Sequence, residues 1–162
     1  MNHKLSVISL ASILTFLLLA TAYTDPYRYE MHSLVKPKGA KEAKIDISML
    51  AGELNIVSKA IPQLLIGEYL YDNPEQGEPI SHYKVEDNTG YLSIETEDWK
   101  DIEINIDDDE EDNECEWNLQ LNSKIPSQLS VDMLAGLGNI MLQGSNIESF
   151  NYAMKAGKAN ID

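Results

Sequence analysis

The chain has 162 residues, with 27 acidic against 12 basic side chains and a formal net charge of −15. That balance argues against a phosphate backbone as partner, since such binding rests on clustered Lys and Arg, and against docking on anionic headgroups through a basic patch. A hydrophobic fraction of 43% argues against disorder and allows one domain with a core of its own.

Lys4 opens a short positive start, and an apolar run follows from Leu5 to Ala20. Ala20-Thr21-Ala22 then supplies the small residues that a signal peptidase prefers. Residues 1–22 therefore read as a signal peptide cleaved after Ala22. The alternative is an uncleaved N-terminal anchor, although the run is short against the roughly 20 apolar residues of a membrane span. No Cys directly follows the run, which excludes a lipoprotein anchor. The expected location is extracytoplasmic, secreted or in the cell envelope, with membrane contact only through an uncleaved segment. Residues 23–42 read as a linker, on Asp25-Pro26 and on Lys36-Pro37-Lys38-Gly39, which break regular structure.

From Ala43 onward the dominant pattern has period two, which places alternate side chains on opposite faces of a strand. Ile45 and Ile47 alternate with Asp46 and Ser48, and Leu92 and Ile94 with Ser93 and Glu95. Ile102, Ile104 and Ile106 alternate with acids and Asn105, and Trp117, Leu119 and Leu121 with Asn118, Gln120 and Asn122. Asp87-Asn88-Thr89-Gly90 has the residues of a tight strand connection. Glu97–Lys100 and the acidic run Asp107–Asp112 read as further links. The expectation for 80–121 is a small antiparallel meander with one face on the core.

A short pattern, M-x-A-G-x-x-N-I, occurs three times, starting at Met49, Met133 and Met154. The step from Met133 to Met154 is a period suited to one coil of a solenoid. Stacked coils would place Met over Met and Ile over Ile inside, use Ala-Gly as a tight corner and align Asn as an amide ladder. The plainer reading of strand, glycine turn and strand accounts for two copies better than for three. The step from Met49 to Met133 equals four such periods, but the segment between shows no matching copies, so no weight falls on that spacing. The fold expected is all-β: a small antiparallel meander leading into a short β-solenoid, after the N-terminal signal segment. Because the sequence stops at Asp162, just after the third copy, either a partner covers the last coil or the solenoid of residues 43–162 is incomplete.

The chain resembles the toast-rack type of bacterial envelope domain, related to LiaF-like cell-wall stress proteins. The likeness rests on Ala51-Gly52-Glu53-Leu54, Leu64-Leu65-Ile66-Gly67-Glu68-Tyr69, Tyr91-Leu92-Ser93-Ile94, Trp117-Asn118-Leu119-Gln120-Leu121, Ile125-Pro126 and the Ala135-Gly136 and Ala156-Gly157 repeats. It covers residues 43–162. The resemblance implies a β-solenoid-like fold, no established catalytic residues and a cell-envelope role in stress sensing or surface interaction.

Signatures of catalysis are absent from the sequence. His3, His32 and His82 lie far apart and show no metal-ligand spacing, and there is no nucleophile elbow or P-loop. With Cys115 as the single cysteine, neither an intramolecular disulfide nor a multi-cysteine zinc site can form, and the residue reads as a strand thiol. The acidic run 107–112 could attract Ca²⁺, but it lacks the alternating ligands and turn glycine of a calcium loop and reads as a solvated tip. Tyr69, Tyr71, Tyr83, Tyr91 and Trp99 could form a sugar platform, but aromatic cross-strand packing is the simpler reading. The expectation is thus a non-enzymatic exported envelope protein, a protein-interaction scaffold or stress sensor, with no catalytic, cofactor-binding or metal residues assigned and no cofactor. The alternative is a calcium- or cell-wall-glycan-binding module. An envelope or surface protein is the expected partner, and nucleic acid is not.

Overall fold

A computed structural model of the chain describes residues 29–72, 78–96 and 115–162. The signal segment, Trp99, the strand expected at 101–106 and the acidic run lie outside them. Among the described residues nine strands and no helix occur. They are β1 (Tyr29–Val35), β2 (Glu42–Met49), β3 (Glu53–Lys59), β4 (Leu65–Tyr71), β5 (Pro79–Glu86), β6 (Thr89–Thr96), β7 (Cys115–Asn122), β8 (Ser127–Met141) and β9 (Ile147–Ile161). The fold is all-β, as its period-two patterning dictates.

The solenoid is built from coils of two arms joined at a corner. β2 and β3 are the arms of one coil, and β8 is a single long strand that spans both arms of the next. β8 runs parallel to β2 from Ser127 to Met133 and parallel to β3 from Leu137 to Met141. β9 stacks parallel on β8, with Met133 opposite Met154, Asn139 opposite Asn160 and Ile140 opposite Ile161. On the other side of the β2–β3 coil lie β6, parallel to β2, and β7, parallel to β3.

All three copies of the repeat therefore lie in adjacent layers, with Met49, Met133 and Met154 in one column. The first copy, far from the second in sequence, is its direct neighbour in space. Stacking order departs from chain order because β4 to β7 build outward from the opposite edge of the first copy's coil.

The antiparallel part is distributed over that edge. β5 and β6 form a hairpin whose turn residues Asp87 and Asn88 adopt φ of 50° and 66°, the left-handed pair that a two-residue connection needs. β6 does not return beside β7, because the two belong to different arms of one layer. β7 pairs antiparallel with β4, and β4 with β1.

β1 corrects the linker expected at 23–42. Residues 29–35 pair along their whole length with β4, from Tyr29 opposite Tyr71 to Val35 opposite Leu65. Met31 and Val35 face the core while Glu30, His32 and Leu34 face outward. Ser33 inside and Leu34 outside blur the alternation, which hid the strand from a polarity reading. β2 likewise begins at Glu42, inside the same span.

The core lies between the two arms. Ile45, Ile47, Met49, Leu92, Ile94, Leu129, Val131 and Met133 come from one, and Leu54, Ile56, Leu65, Tyr69, Trp117, Leu119 and Ile140 from the other, all in one buried cluster. Tyr69 meets Trp117 edge to face with ring centres 5.4 Å apart, and its hydroxyl lies 3.1 Å from Ser33 Oγ. Burial pushes the Tyr69 pKa up, with the Ser33 bond opposing it. Gly138 stands where the layer below has Leu54, and the vacated space takes the Tyr152 hydroxyl.

Candidate functional site

The outward face of the second arm carries a row of polar side chains across six strands. His32 of β1 lies opposite Glu68 of β4, and Glu68 opposite Asn118 of β7. Asn118 lies opposite Asn55 of β3, Asn55 opposite Asn139 of β8, and Asn139 opposite Asn160 of β9. Strand alternation explains the row: Leu54, Ile56, Trp117 and Leu119 are buried inside, so the residues between them must face out.

The row is hydrogen-bonded in one direction. Asn139 Nδ2 donates to Asn55 Oδ1 at 3.0 Å, and Asn55 Nδ2 donates to Asn118 Oδ1 at 3.0 Å. Asn118 Nδ2 donates to Glu116 Oε1 at 2.9 Å and reaches Glu68 Oε2 at 3.5 Å. Asn139 Nδ2 also reaches Glu53 Oε1 at 3.3 Å. Asn139, Asn55 and Asn118 thus point their N–H groups toward the acidic end, and aligned amides reinforce one another. The repeat predicts the Asn55–Asn139–Asn160 column; Asn118 extends it, although its own segment carries no repeat motif.

At the acidic end Glu30 joins the row. Its Oε1 accepts from His32 Nε2 at 2.8 Å, and one ligand atom from each of Glu30, His32 and Glu68 falls within 4.8 Å of the others. Sequence reasoning set His32 aside for want of ligand spacing. Its neighbours come from across a strand pair, at a separation that no local motif records.

The first arm has a different outward face. Lys44, Tyr91 and Lys84 form a three-strand row, with the two ammonium groups 5.8 and 5.5 Å from the Tyr91 ring centre. Lys38 sits 5.8 Å from the ring centre of Tyr83, whose hydroxyl donates to Pro37 O at 2.8 Å. A shallow open groove beside them is lined by Asp46, His82, Tyr83, Lys84, Tyr91 and Ser93. Of the aromatics considered as a platform, the four among the described residues do not converge. Tyr69 and Tyr71 are buried, Tyr71 stacking on Tyr29 at 5.6 Å, while Tyr83 and Tyr91 lie on the other arm. Cys115 stands at the corner that begins β7, where burial pushes its thiol up to about 11 against a weaker opposing bond to Trp117. A thiol so shifted is a poor nucleophile near neutral pH.

A family model described as the N-terminal domain of toast_rack, DUF2154, matches residues 24–162. The chain belongs to the toast-rack family. None of the curated proteins compared with the toast-rack chain matches it. A crystal structure from Clostridium sporogenes, of a protein described as a "putative cell adhesion protein", is similar, with 28% identity and a TM-score of 0.71. The match covers 80% of this toast-rack chain and 58% of that one, so the chain spans less than two thirds of the length of the solved protein.

Proposed function

We propose that this toast-rack chain is an exported, non-enzymatic protein of the cell envelope that acts by contact with other proteins at the surface. The observation that carries this reading is its likeness, over 80% of its length, to the solved protein described as concerned with adhesion. The apolar run from Leu5 to Ala20, followed by Ala20-Thr21-Ala22, supports export with cleavage after Ala22. The geometry is compatible with a contact role: long strands in a fixed ladder present flat side-chain rows, and a rigid surface loses little entropy on binding. Envelope stress sensing is a finer version of the same reading.

The glycan-binding alternative fares less well. A sugar needs an open aromatic face, but Tyr83 packs against the core opposite Leu92, and the outward ring of Tyr91 carries the ammonium groups of Lys44 and Lys84.

The test is to express the chain in a bacterial host of the appropriate envelope type, fractionate the cells and determine the N-terminus by mass spectrometry. A product that begins at Tyr23, lies outside the cytoplasm and crosslinks to surface proteins is expected. Intact chain in the cytoplasmic fraction would sink the reading.

A further inference from the structure

We infer that Glu30, His32 and Glu68 form a surface site for a divalent transition ion of the zinc class. Among the described residues this is the one place where three such donors converge. The donor set is one imidazole nitrogen and two carboxylate oxygens. Mg²⁺ and Ca²⁺ favour all-oxygen shells, whereas Zn²⁺, Co²⁺ and Ni²⁺ accept nitrogen and oxygen together.

The spacing suits such an ion. Two ligands bonded at about 2.1 Å to one ion stand about 3.0–3.4 Å apart. The three donor atoms lie within 4.8 Å of one another, the closest pair at 2.8 Å. Side-chain rotation alone closes the difference, because the backbone has already fixed the geometry. Glu30 and His32 are two apart on one strand and project to the same face, and Glu68 lies directly across from His32 in a ladder that runs the whole length of β1.

Two further features favour a cation there. Two carboxylates and one imidazole lie together on the surface of a chain of net charge −15, and only Glu30 is bonded to the imidazole, so a positive ion relieves repulsion that this single His–Glu contact leaves in place. Glu68 is also held from behind, by Asn118 at the end of the amide row. An amide or backbone group that orients a ligating carboxylate is the usual outer support of a metal site. Three protein ligands leave the fourth position of a tetrahedral shell open to water.

The experiment is a calorimetric titration of untagged, chelator-treated full chain with Zn²⁺ in excess Mg²⁺, which occupies sites built from carboxylates alone. One saturable site is expected, with the His32 ring resonances shifting in step with occupancy. His32→Ala and Glu68→Gln should each weaken binding roughly tenfold or more, while His82→Ala, on the other arm, leaves it unchanged. Absence of saturable heat, equal binding by His32→Ala, or a shift of the His82 ring in place of the His32 ring would each overturn the assignment. The ring resonances are read on the unaltered chain, so that result stands even if a variant fails to fold.

Discussion

The carbonyl oxygen of Gly52 occupies the space that a Cβ on Gly136 would need, and Gly136 stands in the same relation to Gly157. These glycines are the corners of successive coils, with φ of 122°, 121° and 127°. The layers meet there by backbone alone: Ala135 N–H donates to Leu50 O and Leu137 N–H to Gly52 O. Gly136→Ala should therefore combine a disfavoured φ with a clash against backbone that cannot rotate away, at about 3 kcal/mol or more. Gly144→Ala is the control. Its φ is 74°, but nothing lies within 4 Å of its added Cβ, so about 1 kcal/mol is expected. Urea unfolding of both variants checks the order; equal losses would mean that the corners are not in close contact.

The corner is also where the sequence was most legible. M-x-A-G-x-x-N-I records what each position must do at a bend with neighbours above and below. Three copies therefore announce three layers, even with β4 to β7 inserted between the first and the second. Arm strands such as β2, β6 and β7 were readable for the same reason, since their inward residues are mostly apolar. β1 was not, because Ser33 faces inward and Leu34 outward. Least legible was the Glu30–His32–Glu68 cluster. It depends on the antiparallel register of β1 against β4, which is set by backbone pairing between strands that β2 and β3 separate in the chain. Period-two patterning tells which face a residue takes but not which strand lies beside it.

Asn55 is the centre of the amide row, donating to Asn118 and accepting from Asn139. Asn55→Ala removes both bonds and leaves two half-buried amides each short of a partner, at a cost of about 2 kcal/mol. Coupling should be measurable as well: a double-mutant cycle between Asn55 and Asn139 is expected to give about 0.5–1.5 kcal/mol. Asn160 lies in register at the far end and is exposed, so Asn160→Ala should cost less than Asn55→Ala. A cycle that closes to zero would show that the row is aligned but not energetically linked.

Asn122, at the end of β7, ties two loops together with one buried side chain. Its Nδ2 donates to Ile61 O at 2.7 Å and Gln63 O at 2.8 Å, and its Oδ1 accepts from Lys124 N at 2.8 Å and Ile125 N at 3.3 Å. All four partners are backbone groups, so none can turn to find a substitute. Asn122→Ala should destabilise by about 2–4 kcal/mol. Asn122→Asp should be at least as damaging near neutral pH, because it keeps the acceptor but turns the donor into a second, charged acceptor facing two carbonyls. Thermal melts of the two variants beside the parent check this ranking. A mild Asp variant would mean that the two carbonyls are not its neighbours in solution.

Cys115 gives the chain an alkaline limit. Burial, the leading cause, raises its thiol from an ordinary value of 9.0 to about 11, with the Asp72 charge adding to the rise and the Trp117 bond opposing it. A thiol that binds its proton more tightly in the folded state stabilises that state fully below the unfolded value, and the contribution is lost as pH rises through the folded one. The window is therefore pH 9 to 11, and the loss across it is about 3 kcal/mol. Tyr69 and Tyr71 are raised too, also chiefly by burial, so the parent should lose stability above pH 9 through several groups at once. The difference between parent and Cys115→Ala isolates the thiol: the variant starts lower at pH 8 from lost packing, then falls less steeply between pH 9 and 11. Native chain at pH 8 should also react with a disulfide reagent far more slowly than unfolded chain. Parallel stability curves for parent and variant, or fast native labelling, would mean that the thiol is not held in its protonated form by burial.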